Sequence, residues 1–309
     1  MWTHPGQEIV NPINRRQALA LTAAGLAGCT TLRGTRSGHI DAHSHIWTTD
    51  VEKFPLREGV TVDDLKPRSF TAEDLIKLGH TEGVTRHVLI SHGPYYGYDN
   101  DYMIHAAAAH PDVFAVVGAL NPALPDLPTA MRTNRARGIT GYRIKPEGNA
   151  RWLEVDIMQT MWRAGAEQRI AMCPLINPQF VAGLGPMCEK FPETPVVIDH
   201  CARIDTQHEK ELAELCALAK HPNVHVKVSA FYAFGAKQPP YDEQIPRIKA
   251  LYEAFGPHRL MWASDCPYQL GGDNTYAASI GLIRDRIDFF STEDKQWLLG
   301  RTAEKVYFG

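Results

Sequence analysis

From Gly38 onward, short apolar runs alternate with longer stretches in which apolar residues recur at helical spacing. The apolar runs are continuous, which is typical of parallel strands covered by helices. They predict eight strands, at His39–His43, His87–Ser91, Phe114–Leu120, Gly141–Lys145, Ile170–Leu175, Val196–His200, Val224–Val228 and Leu260–Ala263. Helices are predicted at Thr71–Leu78, which opens with a Thr-x-x-Asp capping pattern, at Asn100–His110, at Glu209–Lys220 and at the C-terminus over Ser291–Phe308. The alternation predicts an α/β fold, a single-domain (β/α)8 TIM barrel over residues 38–309.

The N-terminal segment has a different pattern. Arg15 and Arg16 precede an uncharged run, Gln17–Gly28, which is too short to span a bilayer and leads to Cys29. The arginine pair is typical of a twin-arginine export signal, and the residues before Cys29 resemble a lipobox. Residues 1–37 are therefore predicted to be an export signal and short linker. We expect an exported protein, periplasmic or anchored to a membrane through a lipid on Cys29; the alternative is a short amphipathic helix that stays on the chain.

Composition sets limits on the class of protein. The chain has 309 residues, of which 44% are hydrophobic, enough for one large core. The formal net charge is -3 and no basic face stands out, so nucleic acid is not an expected partner. Five cysteines follow Cys29, and an odd number argues against a full disulfide framework.

The most specific local signal is the pair His43 and His45 at the end of the first predicted strand. In extended backbone, residues two apart point to the same side, so both imidazoles face one direction. Imidazole nitrogen is a good ligand for zinc and similar ions. The alternative is a chance pair of histidines in a surface loop.

Two other predicted strands end in residues with the same kind of chemistry. His200 ends the sixth strand, and Asp265 follows the eighth. Separately, these residues could be a core histidine and a helix N-cap. In a barrel, however, the carboxyl ends of all strands meet at one rim, where active sites are built. Together with the histidine pair, they predict one four-residue site.

With these motifs the chain resembles the amidohydrolase-related branch of the amidohydrolase superfamily, over Gly38 to Phe308. Further marks of the resemblance are Asp99-Asn100, His110-Pro111-Asp112-Val113-Phe114, Gly141-Tyr142-Arg143, Val226-Lys227-Val228-Ser229 and Leu299-Gly300-Arg301-Thr302-Ala303, with Thr302 where Asn is usual. The resemblance implies a hydrolase with a divalent metal, zinc above all. The expected ligands are His43, His45, His200 and Asp265.

The chain departs from the family pattern at the fifth strand. Metal-dependent members commonly carry a histidine there, whereas this chain reads Met172-Cys173-Pro174-Leu175-Ile176-Asn177-Pro178. Asn177 offers only a neutral amide oxygen. Lactonase-like members also lack that histidine, and some are thought to work without a tightly bound metal. The resemblance therefore implies either a metal site or a metal-free one.

The predicted reaction is hydrolysis of a lactone or similar ester-like bond. Asp265 is the expected general base, taking a proton from the attacking water. His200, with His43 and His45, would bind the metal or act directly as donors to the carbonyl oxygen. The alternatives are a metal-dependent amide or phosphoester hydrolase, a non-oxidative decarboxylase and, as a non-enzyme, a lipid-anchored binding protein.

The expected substrate is a small organic acid, sugar acid or lactone. Cations near the rim would bind its carboxylate, because a planar guanidinium matches a carboxylate in a bidentate pair. The candidate cations are Arg143, Lys145, Arg203 and Lys227. Trp47, His92 and Tyr96, with Tyr95 and Tyr268, are the candidate pocket walls. Each of these cations could instead be a solvated surface charge, and each wall residue could instead pack within a lid.

Overall fold

The computed structural model describes residues 38–146, 151–205 and 207–309. The predicted export signal, linker and lipid attachment at Cys29 lie outside these residues and stay predictions. Residues Gly38–Gly309 form one compact unit. Within the described part of the chain, no helix combines the length and apolar character needed to cross a membrane.

Eight parallel strands form one sheet in chain order, each paired with the next. They are β1 His39–Ser44, β2 Val84–Ile90, β3 Phe114–Gly118, β4 Ile139–Ile144, β5 Ala171–Pro174, β6 Val196–Ile198, β7 Val224–Ser229 and β8 Leu260–Ala263. The helices are α1 Ala72–His80, α2 Gly93–Tyr96, α3 Asp101–Ala109, α4 Leu127–Ala136, α5 Asp156–Gln168, α6 Leu184–Lys190, α7 Glu209–Ala217, α8 Ile245–Phe255, α9 Tyr276–Gly281 and α10 Thr292–Gln296. The predicted (β/α)8 barrel is confirmed.

The sheet closes where the chain leaves β1 and β8. The backbone amide of Asp265 donates to the carbonyl of His43 at 2.8 Å, and the amide of His45 donates to the carbonyl of Cys266 at 2.8 Å. Ser44 and Cys266 form a parallel bridge. Closure thus aligns the residues after β8 with the histidine pair of β1.

Two apolar layers follow from the alternation of side chains along each strand. Small and branched residues such as Ile40, Ala42 and Val117 fill the barrel interior. A larger layer, which includes Trp162 and Leu251, packs between strands and helices. Both layers are closed to solvent, so polar strand residues inside the barrel need partners within it.

Among the differences between predicted and observed element bounds, two have a clear cause in the backbone. The sixth strand ends at Ile198, before His200, because the backbone enters a left-handed turn there. The C-terminal helix is not uniform: after α10 the backbone widens into π-helical turns at Trp297–Arg301 and Glu304–Phe308. That segment still inserts the buried Tyr307 into the barrel interior.

Candidate active site

His43 and His45 lie at the mouth of the barrel, and both are buried. The Nδ1–H of His45 donates to the carbonyl of Ile90 at the end of β2, at 2.9 Å. Nδ1 of His43 lies 3.3 Å from Oδ1 of Asp199, so a proton on Nδ1 faces this carboxylate. With the proton on Nδ1, each neutral ring carries its lone pair on Nε2. These two nitrogens face the mouth, as the spacing of the pair predicts.

Asp265 meets both imidazoles. Its Oδ1 lies 3.5 Å from Nε2 of His43 and 3.4 Å from Nε2 of His45. Its Oδ2 lies 3.8 Å from Nε2 of His200 and accepts a hydrogen bond from the Tyr232 hydroxyl at 2.6 Å. The structure therefore brings together all four residues that the sequence predicts as ligands or catalytic groups, and adds Tyr232.

His200 is presented by an unusual turn. Four consecutive residues, His200, Cys201, Ala202 and Arg203, have φ between 50 and 55°. The left-handed conformation costs about 1–2 kcal/mol per residue for side chains with a Cβ, so the surrounding fold must hold it in place. The turn places Nδ1 of His200 2.8 Å from the Ser229 hydroxyl, and its ring centroid 4.4 Å from that of His43.

Asp41 supports the site from below and was not singled out from the sequence. Its Oδ1 accepts from the amides of Ser264 at 2.8 Å and His43 at 3.2 Å. Its Oδ2 accepts from the hydroxyls of Ser264 at 2.5 Å, Ser44 at 3.0 Å and Tyr276 at 3.0 Å. Because these donors come from both β1 and the segment after β8, Asp41 ties the two halves of the ligand set together.

A buried ion-pair cluster lies beside His43. Nζ of Lys227 is 3.0 Å from Oδ1 of Asp199, and Nη2 of Arg143 is 3.3 Å from Oδ2. Lys227 is fully buried and also lies 3.4 Å from Nδ1 of His43. Its ammonium thus contacts protein groups under the site, and its predicted role in binding substrate stays a prediction.

The other candidate cations lie in different surroundings. Arg143 is mostly buried, with 14% of its side chain exposed, and its Nη2 donates to Nε2 of His43 at 2.6 Å. Arg203 donates to the Asn177 side chain at 3.0 Å. Lys145 is exposed immediately after β4. Of the four candidates, Arg143 is the one that touches a predicted ligand on the side facing the mouth.

Aromatic side chains form one wall of the mouth. The Trp47 and Tyr95 rings lie 5.1 and 4.1 Å from His92, whose Nε2 is 2.5 Å from the Tyr268 hydroxyl. The His92 ring lies 5.3 Å from that of His45. Tyr96 belongs elsewhere: its hydroxyl accepts from the Thr48 amide at 3.2 Å while its ring contacts Tyr102.

The electrostatics favour neutral imidazoles at His43 and His200 and a charged carboxylate at Asp199. Burial lowers the pKa of His43 well below its ordinary value and that of His200 to about 4. Burial raises the pKa of Asp265, whereas positive charge on the neighbouring imidazoles would lower it. For Tyr232, burial and the adjacent carboxylate both raise the pKa, so the phenol remains a donor.

The arrangement fits a metal ion. One ligand atom from each of His43, His45 and Asp265 lies within 4.8 Å of the others. A tetrahedral zinc ion with bonds of about 2.1 Å sets its ligand atoms about 3.4 Å apart, close to the 3.4 and 3.5 Å that separate Asp265 from the two imidazoles. A bound cation would take the Nε2 lone pairs of the two imidazoles and the negative charge of the carboxylate.

Comparisons with known proteins agree with this architecture. The chain matches the family model described as Amidohydrolase over residues 40–309. It is 28% identical over 239 residues to L-fucono-1,5-lactonase of Burkholderia ambifaria, covering 74% of this chain and 80% of that protein. It is 27% identical over 240 residues to 4-sulfomuconolactone hydrolase of Rhizobium radiobacter, covering 75% and 76%.

A solved structure shares the fold. The amidohydrolase from Burkholderia multivorans with bound zinc superposes with a TM-score of 0.69 at 19% identity, covering 88% of this chain and 99% of that one. The family model spans nearly the whole described barrel and the motifs from which membership was predicted. This chain is therefore a hydrolase that belongs to the amidohydrolase family.

Proposed function

We propose that the protein opens a lactone, or a similar ester-like bond, in an organic-acid or sugar-acid substrate. The observation that carries the proposal is the carboxylate of Asp265 facing Nε2 of His43 and His45 at 3.5 and 3.4 Å. The two curated relatives, a fuconolactonase and a sulfomuconolactone hydrolase, support a lactone as the substrate class.

Asp265 is the general base of the proposed reaction. The water oxygen attacks the lactone carbonyl carbon while Asp265 takes one of its protons. Collapse of the tetrahedral intermediate breaks the ring C–O bond, and Asp265 returns the proton to the leaving oxygen. The Tyr232 hydroxyl holds Oδ2 at 2.6 Å, which leaves Oδ1 directed at the imidazoles and available to the water.

A divalent metal, which we propose to be zinc, would be held by His43, His45 and Asp265, with His200 beside them. When bound, it lowers the pKa of water and polarises the carbonyl oxygen. The proton positions favour His43 and His45 as metal ligands over His43 and His45 as donors to the carbonyl oxygen. Nδ1 of His45 donates to Ile90, and a proton on Nδ1 of His43 faces Asp199, so neither neutral ring has an Nε2 proton to give.

Substrate binding is proposed at the same mouth. The wall of Tyr95, His92 and Tyr268, with the buried Trp47 behind it, offers flat faces to a ring substrate next to His45. Arg143 and, further out, Lys145 and Arg203 supply positive charge for a carboxylate. Because burial lowers the pKa of His92 to about 3, that ring remains neutral and adds no cation.

The test is proton release from a panel of sugar lactones and aromatic-derived lactones, with amide and phosphoester substrates beside them. We expect Asp265→Asn to lower kcat/KM for a lactone by about 10²–10⁴-fold, as is usual when a general base is removed. Asp273→Asn is the matched control, because Asp273 is an exposed carboxylate in the same loop after β8.

Two outcomes would reject the proposal. Asp265→Asn with activity equal to that of Asp273→Asn would remove Asp265 as the base. Turnover of the amide or phosphoester substrates with none of the lactones would replace the substrate class while keeping the hydrolase.

A further inference from the structure

Arg143 lies where it affects the metal site. Its Nη2 donates to Nε2 of His43 at 2.6 Å, the shortest contact that this nitrogen makes among the described residues. The guanidinium is also held by Oδ2 of Asp199 at 3.3 Å and by the carbonyl of Ser91 at 3.4 Å. The ends of β1, β2 and β6 therefore fix it over His43.

A neutral imidazole has one lone pair, and the contacts of His43 locate it. A proton on Nε2 would point at the N–H of Arg143 across 2.6 Å, which two donors cannot do. Nδ1 has the Lys227 ammonium at 3.4 Å, a much longer contact than 2.6 Å, and the Asp199 carboxylate at 3.3 Å. The proton is therefore on Nδ1, facing Asp199, and the lone pair is on Nε2. Nε2 is the same atom that forms one edge of the metal-ligand set with Asp265.

One lone pair serves either the guanidinium or a metal ion. Since a guanidinium does not lose its proton in proteins, Arg143 keeps its positive charge and its N–H donors when a metal ion binds. We propose that Arg143 competes with the divalent metal for Nε2 of His43, so that metal binding requires the guanidinium to move off this nitrogen. The inference rests on the ligand set of the proposed function.

Zinc affinity tests this without any turnover. Apparent dissociation constants are measured by competition with a chromogenic chelator for the wild-type chain, Arg143→Met and Arg143→Gln. Both substitutions are expected to tighten zinc binding about tenfold or more, because each removes a charge-assisted hydrogen bond that competes with the metal.

Lys145→Met is the matched control. It removes one positive charge from the same strand end, without a contact to His43. If Arg143 acted only as a nearby charge, Lys145→Met would tighten binding to a similar degree. Equal effects of the two substitutions, or folded Arg143 variants that bind zinc no more tightly than wild type, would overturn the proposal.

The wild-type chain gives a second measurement if the Arg143 variants do not fold. In protein labelled with ¹⁵N-arginine, the hydrogen-bonded guanidinium of Arg143 is expected to give a slowly exchanging N–H resonance that disappears as zinc is added. A resonance that persists at full zinc loading would reject the competition. Because neither measurement uses a substrate, failure here is distinct from failure of the lactonase proposal.

Discussion

Asp199 and Asp265 are both buried carboxylates at strand ends, yet they are neutralised in different ways. Asp199 lies 3.0 Å from the Lys227 ammonium and 3.3 Å from the Arg143 guanidinium. Within the described ranges, Asp265 contacts three imidazoles and the Tyr232 phenol, and neither Lys nor Arg.

The difference separates a structural charge from a chemical one. Two cations neutralise Asp199, and burial with a partner on each oxygen leaves it no room to exchange protons with solvent. The partners of Asp265 are neutral groups, so its negative charge is open to a proton or a metal ion. We therefore expect Asp199 to hold His43 in place and Asp265 to take part in the reaction.

The largest expected effect on stability comes from breaking the buried ion pair between Lys227 and Asp199. Lys227→Met leaves Asp199 buried beside one remaining cation, and loss of one partner of a buried pair destabilises by about 3–5 kcal/mol. Asp265→Asn removes a charge without leaving a Lys or Arg side chain unpaired, so the free energy of unfolding should change by only about 1 kcal/mol. Urea unfolding of both metal-free variants measures this contrast.

Lys220→Met provides the control for the buried ion pair. It breaks an ion pair of similar length, 2.8 Å to Glu189, between side chains that are 61% and 60% exposed. Exposed pairs contribute about 0–1 kcal/mol. A loss for Lys227→Met no larger than that for Lys220→Met would show that burial does not separate the two carboxylates.

The next largest expected effect is the stabilisation by zinc, which depends on Asp265. Zinc at about 100 times its dissociation constant should stabilise the wild-type chain by about 2.7 kcal/mol, since it binds only the folded state. Asp265→Asn should lose most of that stabilisation, because an amide is a poorer ligand than a carboxylate. Urea unfolding with zinc or with a chelator measures it, and Asp273→Asn should respond as wild type does.

An equal zinc response in Asp265→Asn would place the ion away from this carboxylate. The mechanism would then lose its link between the acid and the histidine pair, whereas the barrel and the buried ion pair would be unaffected.

The sequence predicts the barrel and the meeting of three site residues at its rim well. Eight continuous apolar runs suffice for the barrel, and the rule that strand ends share a rim brings His43, His45 and Asp265 together. These residues are predictable because strand backbone has a fixed period, so the direction of a side chain follows from its position.

The partners were harder to predict. Tyr232 reaches Asp265 from a loop 33 residues earlier, and no local pattern marks that approach. Lys227 lies inside a strand, and no local pattern shows that its long side chain reaches Asp199. The left-handed turn that carries His200 depends on the surrounding fold, because none of its four residues is a glycine.

The smallest effect concerns the phenol on Asp265. Tyr232→Phe removes one hydrogen bond to a charged oxygen, worth about 1.5 kcal/mol, which corresponds to a roughly tenfold lower kcat/KM for the lactone. The substitution removes the donor to Oδ2 of the reacting carboxylate and leaves the imidazoles near Oδ1 in place. The loss should therefore appear in kcat, with the free energy of unfolding little changed. Tyr98→Phe, which alters an exposed phenol, should match wild type. If Tyr232→Phe lowers stability and leaves kcat unchanged, the phenol has a structural role, as the partners of Asp199 do, and no part in the reaction of Asp265.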